Sequence, residues 1–140
     1  MKISPKAMIR AGIVATAIAM PGTVIAEGDF GGVWQPYSRP VERLGAMTVA
    51  PGLVSFAAGP QAQLEPVRDG GSVFRLIEPQ GEAFFVCGPE PVNYVGFHVL
   101  DNGQLALLEY RVDSPPAEPT GSNSLEVSGN GACSVMFYAR

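Results

Sequence analysis

The sequence has few of the residues that most often take part in catalysis or metal binding, with one histidine and two cysteines among 140 residues. No nucleophile motif such as G-x-S-x-G accompanies His98, and metal sites need several ligands at short spacing. P-loop and dinucleotide fingerprints are also missing. We therefore expect a noncatalytic protein with no cofactor and no metal. An enzyme that uses carboxylates stays open as an alternative, and would need two acids with separated pKa values in one cleft.

Lysine is confined to the first six residues, where it begins a segment typical of export signals. Basic residues precede an uncharged, mostly apolar run at 11–26, as in a secretory signal peptide. That run is shorter than the roughly 20 residues that span a membrane, which argues against an uncleaved anchor. Val24 and Ala26 fit the small residues before a cleavage site. We predict a signal peptide at 1–26 and one β-barrel domain at 27–140, exported to the periplasm or the medium, with no membrane attachment after cleavage.

Positive charge is scarce in the predicted exported chain. Loss of three of the nine basic residues leaves six against thirteen acids, so 6 − 13 gives a net charge of about −7. Nucleic acids and anionic membranes attract clusters of lysine and arginine, so neither is expected as a partner. The acidic excess favours either a basic protein partner or simply solubility.

The two cysteines, Cys87 and Cys133, both lie in the predicted exported chain. Oxidising compartments favour disulfides, so the sequence predicts one bond between them. A metal pair or a reactive thiol is the less favoured alternative, because neither cysteine has a C-x-x-C partner or a histidine nearby in sequence.

Long amphipathic helices are excluded by 17 glycines and 13 prolines, which interrupt the chain throughout. What remains is an all-β pattern of short strands between turn residues. We predict strands at Val33–Tyr37, Ala46–Val49, Leu53–Ala57, Gln63–Arg68, Ser72–Glu78, Glu82–Cys87, Asn93–Leu100, Gln104–Val112, Ser124–Ser128 and Cys133–Ala139. The Pro- and Ser-rich segment 113–123 is predicted to be a long loop.

The dipeptide NG at 102–103 predicts a hairpin with a type I′ turn. On its second arm, Ala106, Leu108 and Tyr110 form an apolar face, which we expect to be the core side. Glu109 is then expected on the opposite, wetter side. The alternation is imperfect, because leucines also occur on the Glu109 side, so burial of both faces is a further possibility.

Eight to ten short strands with one disulfide predict a small antiparallel β-barrel of about eight strands, or a sandwich. We favour the barrel because closure removes exposed edges. Aromatic residues on nearly every strand would either fill the interior or line a cavity. As candidate ligand-binding residues we select Trp34, Tyr94, Phe97 and Tyr110.

The motif Gly32-Val33-Trp34 resembles the Gly-x-Trp opening of lipocalins and related calycin barrels. The resemblance implies that Trp34 closes one end of the barrel beneath a cavity for a small apolar ligand. Size and compartment are also similar to those of periplasmic lysozyme inhibitors. We therefore expect an exported noncatalytic binding protein for a small apolar ligand or a protein partner. The alternative is a periplasmic inhibitor or accessory protein of a basic cell-envelope enzyme such as lysozyme.

Overall fold

The structure is a computed structural model that describes residues 30–80 and 86–140. The predicted signal peptide at 1–26 and most of the predicted strand Glu82–Cys87 lie outside these residues. Within them the chain forms ten strands, one 3-10 helix at Arg39–Leu44 and one short α-helix, α1, at Ser124–Val127. The strands are β1 Gly32–Pro36, β2 Met47–Ala50, β3 Leu53–Phe56, β4 Gln61–Pro66, β5 Val73–Gln80, β6 Val86–Cys87, β7 Glu90–Pro91, β8 Tyr94–Val99, β9 Leu105–Tyr110 and β10 Ser134–Ala139.

Eight of these strands form a closed antiparallel barrel in the order β1-β10-β9-β8-β5-β4-β3-β2. Closure comes from β1, which pairs with β2 at Trp34↔Met47 and with β10 at Gln35↔Ala139. The short strands β6 and β7 pair with each other outside the barrel ladder. The predicted all-β fold is confirmed, and the barrel rather than the sandwich is the architecture.

The two ends of the barrel are marked by the two ends of β10. Its first residue, Ser134, pairs with Glu109, whereas Arg140, just past its last residue, lies over the ring of Trp34. We call these the Glu109 end and the Trp34 end. Connections alternate between ends in an antiparallel meander, so those after β1, β3, β5 and β9 lie at the Glu109 end. Residues 111–133, the longest of them, return to β10 only after running over the outside of the barrel.

One predicted strand, Ser124–Ser128, is wrong, because these residues form the helix α1. The side chain of Asn123 accepts a hydrogen bond from Glu126 N at 2.9 Å, and Glu126 Oε1 accepts one from Ser122 N at 2.8 Å. The contacts are similar to those of a helix capping box, except that Glu126 accepts from Ser122, the residue before the N-cap, and they satisfy otherwise unpaired donors. The pattern N-x-x-E therefore carried a helix signal that outweighs the short alternation of apolar residues.

The hairpin between β8 and β9 is present, but the predicted type I′ turn is wrong. Asn102 has no positive φ, whereas Gly103 has a φ of 87°. Gly103 N donates to Leu100 O at 2.9 Å and Leu100 N donates to Gln104 O at 2.8 Å. This is the three-residue hairpin in which a tight turn is followed by a glycine bulge. Asn102 instead accepts a hydrogen bond from Gln104 N through its side chain, which favours negative φ.

Strand β9 is buried on both faces, which corrects the predicted orientation of Glu109. Leu105 and Leu107 belong to the cluster inside the barrel, and Glu109, two residues on, shares their face. Ala106 and Leu108 belong to a second cluster on the outside of the barrel. Residues 111–133, which we call the strap, cover this outer cluster. The apolar face that the alternation assigned to the core is therefore the outer face, and Glu109 points inward.

The predicted disulfide joins Cys87 and Cys133, with a Cα–Cα distance of 5.9 Å. Cys87 packs against the inner cluster, and Cys133 N donates to Glu109 O at 2.8 Å. The bond closes a loop of 46 residues, which stabilises a fold by about 4 kcal/mol in the chain-entropy model. It therefore fixes the segment around β6 to the start of β10, at the Glu109 end.

Candidate functional site

At the Trp34 end, both the N–H group and the ring of the Trp34 indole have partners within the protein. Trp34 is 1% exposed, and its Nε1 donates a hydrogen bond to Phe30 O at 2.9 Å. The guanidinium of Arg140 lies 3.9 Å from the ring centroid, in cation–π contact, and also donates to Gly31 O. The N–H of Trp34 is therefore satisfied within the protein, and its ring is covered by Arg140.

Three phenylalanine rings pack against one another in the inner cluster, to which Trp34 also belongs. Phe30 stacks on Phe97 with centroids 5.1 Å apart, and Phe74 meets Phe97 edge to face at 5.8 Å. Phe30 and Phe74 are also in edge contact at 6.0 Å. Edge and offset arrangements of this kind stabilise a core beyond simple burial. The Trp34 end therefore has a tightly packed aromatic centre.

The four candidate ligand-binding residues do not converge on one site. Trp34 and Phe97 lie in the inner cluster, whereas Tyr94 and Tyr110 lie in the outer cluster beneath the strap. The wall of the barrel separates the two pairs. Ligand binding by any of them stays a prediction, but a single cavity cannot be lined by all four.

The strap is held to the barrel by a group of hydrogen bonds centred on Glu118. Glu118 Oε1 accepts from Ser72 N at 2.7 Å and from Ser72 Oγ at 3.0 Å, and Oε2 pairs with Arg68 Nη1 at 2.7 Å. Partial burial acts to raise the pKa of Glu118, but the hydrogen bonds from Ser72 and Arg68 together lower it. We call this group of hydrogen bonds the latch of the strap. It is strongest when Glu118 is ionised.

His98 also connects the strap to the barrel. Its Nε2 lies 2.7 Å from Gly121 O, so the ring donates a hydrogen bond to the carbonyl. Nearby, a side chain at Gly96 would approach Pro119 Cγ to 3.2 Å, because the buried proline lies directly on this strand. The strap is therefore in contact with β8 at both Gly96 and His98.

At the Glu109 end, a carboxyl group lies inside the barrel without a complete set of partners. Glu109 is 1% exposed, and its Oε2 is buried with no hydrogen-bond partner. Val95 on β8 and Ser134 on β10 are its cross-strand neighbours. Burial raises the pKa of Glu109 from 4.5 to about 8, because the charged form loses its water. This is the strongest perturbation of an acid in the described residues, and perturbed acids mark candidate sites.

A phenol accompanies this carboxyl inside the barrel. The hydroxyl of Tyr138 is buried without a hydrogen-bond partner, and its pKa is raised by burial and then by the charge of Glu109. The ring of Tyr138 packs at 6.4 Å from that of Phe56, within the inner cluster. Tyr110 also has an unpartnered hydroxyl, but it lies outside the barrel, where burial and then Glu118 raise its pKa to about 12.

Sequence reasoning missed Glu109 and Tyr138 as a pair. The signal was present in β9, where Leu105, Leu107 and Glu109 share one face, so an acid continues an apolar row. Pairing of β9 with β10 places Tyr138 opposite Leu105 on that face. Tyr138 therefore faces the barrel interior as Glu109 does, but it lies four positions along β10 from Ser134, the residue that pairs with Glu109.

Comparisons of the chain with protein-family models, with curated proteins and with solved structures find no match. Within residues 30–80 and 86–140, no three His, Cys, Asp or Glu side chains gather in a way that suits a metal ion. The same residues contain no helix of the length and apolarity that crossing a membrane requires. The candidate site is therefore the interior of the barrel, where the Glu109 carboxyl and the Tyr138 hydroxyl are buried without partners.

Proposed function

We propose that the protein is an exported, noncatalytic binding protein whose barrel takes a small, largely apolar ligand at the Glu109 end. The observation that carries this proposal is the pair of unpartnered polar groups, Glu109 and Tyr138, in an otherwise apolar interior. Ligand sites typically combine apolar walls with a few convergent polar groups, one of them with a perturbed pKa. Buried polar groups without partners are rare in native proteins, and a ligand can satisfy them.

The arrangement of loops supports the same end. The Glu109 end carries the long connections after β1, β5 and β9, whereas residues 51–52 alone connect β2 to β3 at the Trp34 end. Binding residues concentrate where long loops meet a rigid scaffold. The resemblance to lipocalins, in which the tryptophan closes the opposite end of the barrel, agrees with Trp34 as the plug. The disulfide supports export, because such bonds persist in oxidising compartments.

Two methionines provide a direct test of interior binding. Met47 and Met136 are the methionines that follow Met20 in the sequence, and both lie in or against the inner cluster. Met136 is on β10 two residues from Ser134, so it is closer to the Glu109 end. We expect n-hexanol to shift the ¹³C-methyl signals of Met136 and Met47 in a saturable manner, because both side chains lie in or against the inner cluster. Unchanged methyl signals at saturating alcohol would reject interior binding.

A protein partner is the second candidate function. Val33 on β1 and Tyr37, just past the end of β1, are exposed, with 53% and 64% of each residue accessible. The protein has a net charge of about −7 after export (6 − 13). Exposed apolar residues beside an acidic surface suit a basic envelope protein such as lysozyme. We expect inhibition of lysozyme at low salt that weakens as salt screens the charges. Full lysozyme activity at low salt would remove this candidate.

A further inference from the structure

Among residues 30–80 and 86–140, no cationic side chain forms an ion pair with the Glu109 carboxyl. Three ion pairs occur in the part of the chain that the structure describes, and all three involve exposed side chains: Arg68–Glu118, Arg75–Glu65 and Arg111–Glu90. None includes Glu109, whose Oε2 has neither a cation nor a hydrogen-bond donor. An ionised carboxylate without a partner in an apolar interior is costly, so this position selects for whatever supplies a positive charge.

The residues around Glu109 on the inner face carry no charge. Its cross-strand neighbours are Val95 on β8 and Ser134 on β10, and farther along the same inner faces lie Phe97, Met136 and Tyr138, within or against the inner cluster. Tyr138 is the one titratable group among these five, and burial raises its pKa, so it stays neutral. The 3-10 helix at 39–44 turns its apolar residues inward and exposes Glu42 and Arg43. An anionic ligand would oppose the ionisation of Glu109, whereas a cation would form an ion pair with the Glu109 carboxylate.

We propose that the Glu109 end of the barrel binds the ammonium group of a small alkylamine, with Glu109 as its counter-ion and Tyr138 as a hydrogen-bond acceptor. This inference rests on the interior binding proposed above and specifies the class of ligand. An ammonium group has three donors, so it can serve both the carboxylate and the phenol oxygen. The alkyl chain lies against Leu107 and Met136, which share the inner face with Glu109.

Proton release is the chemical signature of this mode of binding. At pH 7 a carboxyl with a pKa of about 8 holds its proton in about nine-tenths of the molecules. An alkylammonium ion binds the ionised form, so the carboxyl proton leaves to solvent as the ion pair forms, and the total charge is conserved. An alcohol of the same chain length binds without that release. Above the pKa of Glu109 the carboxyl is already ionised, so the release disappears.

The test is isothermal titration calorimetry with n-hexylamine, n-hexanol and hexanoate at pH 7, in phosphate and in Tris. The two buffers differ in ionisation enthalpy, so the difference in measured heat counts the protons released. We expect the amine to bind about tenfold more tightly than the alcohol, because a charge-assisted hydrogen bond contributes about 1.5 kcal/mol or more. We expect close to one proton per amine at pH 7, none at pH 9.5, and the weakest binding for hexanoate.

Variants assign the effect to the named side chains. Glu109→Gln, which keeps the size of the side chain, should lose both the proton release and the preference for amine over alcohol. Tyr138→Phe should weaken amine binding about fivefold while the proton release remains, since one hydrogen bond contributes about 1 kcal/mol. Glu65→Gln, in an exposed ion pair, is the matched control and should behave as the unmodified protein.

The outcomes separate this inference from the proposed function. Binding of hexanol and hexylamine with equal affinity and no proton release in the unmodified protein would overturn the amine assignment and leave interior binding in place. Proton release that persists in Glu109→Gln would equally overturn it. If none of the three compounds binds, interior binding fails, and the amine assignment fails with it.

Discussion

The two ends of the barrel treat buried polar groups in opposite ways. At the Trp34 end, the indole N–H donates to Phe30 O and the ring is covered by Arg140. At the Glu109 end, Glu109 Oε2 is buried with no partner, and the Tyr138 hydroxyl, also inside the barrel, has none either. A satisfied group of this kind stabilises the fold, whereas an unsatisfied one lowers stability unless something binds to it. The contrast is that the buried N–H of Trp34 has a partner within the protein, whereas the buried Oε2 of Glu109 has none.

The largest expected effect concerns the pH dependence of stability at the Glu109 end. Because the folded-state pKa of Glu109 is raised from 4.5 to about 8, the unfolded chain loses this proton at lower pH than the folded chain. Stability attributable to this group therefore falls as the pH rises from about 4.5 to about 8, and is level above that. The fall amounts to about 5 kcal/mol, since each pH unit contributes about 1.4 kcal/mol.

Urea unfolding followed by circular dichroism at pH 5, 6.5 and 8 measures this slope. The Glu109→Gln variant should remove most of the fall, and Glu65→Gln, on the exposed face of β4, should not change it. Parallel pH profiles for Glu109→Gln and the unmodified protein would show that the two ends do not differ in this way.

The Trp34 end should respond to truncation rather than to pH. Trp34→Ala removes a fully buried ring and should lower the free energy of unfolding by about 4 kcal/mol, as for large aromatic truncations in other cores. Val33, the residue before Trp34 on the same strand, faces outward. Val33→Ala should therefore change the free energy of unfolding by less than about 0.5 kcal/mol. Thermal denaturation of both variants measures the difference, and equal effects would contradict the inward position of Trp34.

The latch of the strap should have a smaller effect and the opposite pH sign. Because the pKa of Glu118 is lowered, its stabilisation is complete above the unfolded value, and is lost as the pH falls through the lower folded-state pKa. Glu118→Gln should cost about 1 kcal/mol at pH 7, a modest value for a group that is over a third exposed. Hydrogen exchange of Ser72 N–H should accelerate in this variant. Unchanged exchange would mean that Glu118 does not hold the strap.

The smallest expected effect is that of removing the charge of Arg140, whose guanidinium lies over the ring of Trp34. Arg140→Met retains the length of the side chain and removes the charge, so it should cost up to about 1 kcal/mol, the range for exposed cation–π contacts. The emission maximum of Trp34 should shift, since a charge 3.9 Å from the ring centroid is removed. An identical emission spectrum would show that the guanidinium does not rest on the ring in solution.

Much of the barrel could be predicted from local pattern, because turn residues and alternation are local properties. The boundaries of β3 and β9 agree with the predicted strands to within about two residues, and the disulfide was predicted from compartment and count alone. The position of Glu109 could not be predicted in this way. The strap covers the outer face of β9, so both faces are apolar, and periodicity no longer distinguishes inside from outside.

The candidate site was missed for a related reason. Aromatic residues on nearly every strand predicted either a filled interior or a ligand cavity, but alternation does not show which face of each strand is inside. Tyr94 and Tyr110 were therefore predicted in one set with Trp34 and Phe97. In the structure the two tyrosines lie in the outer cluster, which the strap covers. That Glu109 and Tyr138 both face the barrel interior follows from the pairing of β9 with β10, which is a tertiary property.

The ionisation of Glu109 is the property on which the difference between the two ends depends most directly. A ¹³C NMR titration of the Glu109 side-chain carboxyl, in the protein without added ligand, measures it without reference to stability or binding. We predict a midpoint at a pH of about 8. A midpoint near 4.5, the ordinary value for glutamate, would show that water or a partner reaches the carboxyl, and would contradict a desolvated, unpartnered acid at this end of the barrel.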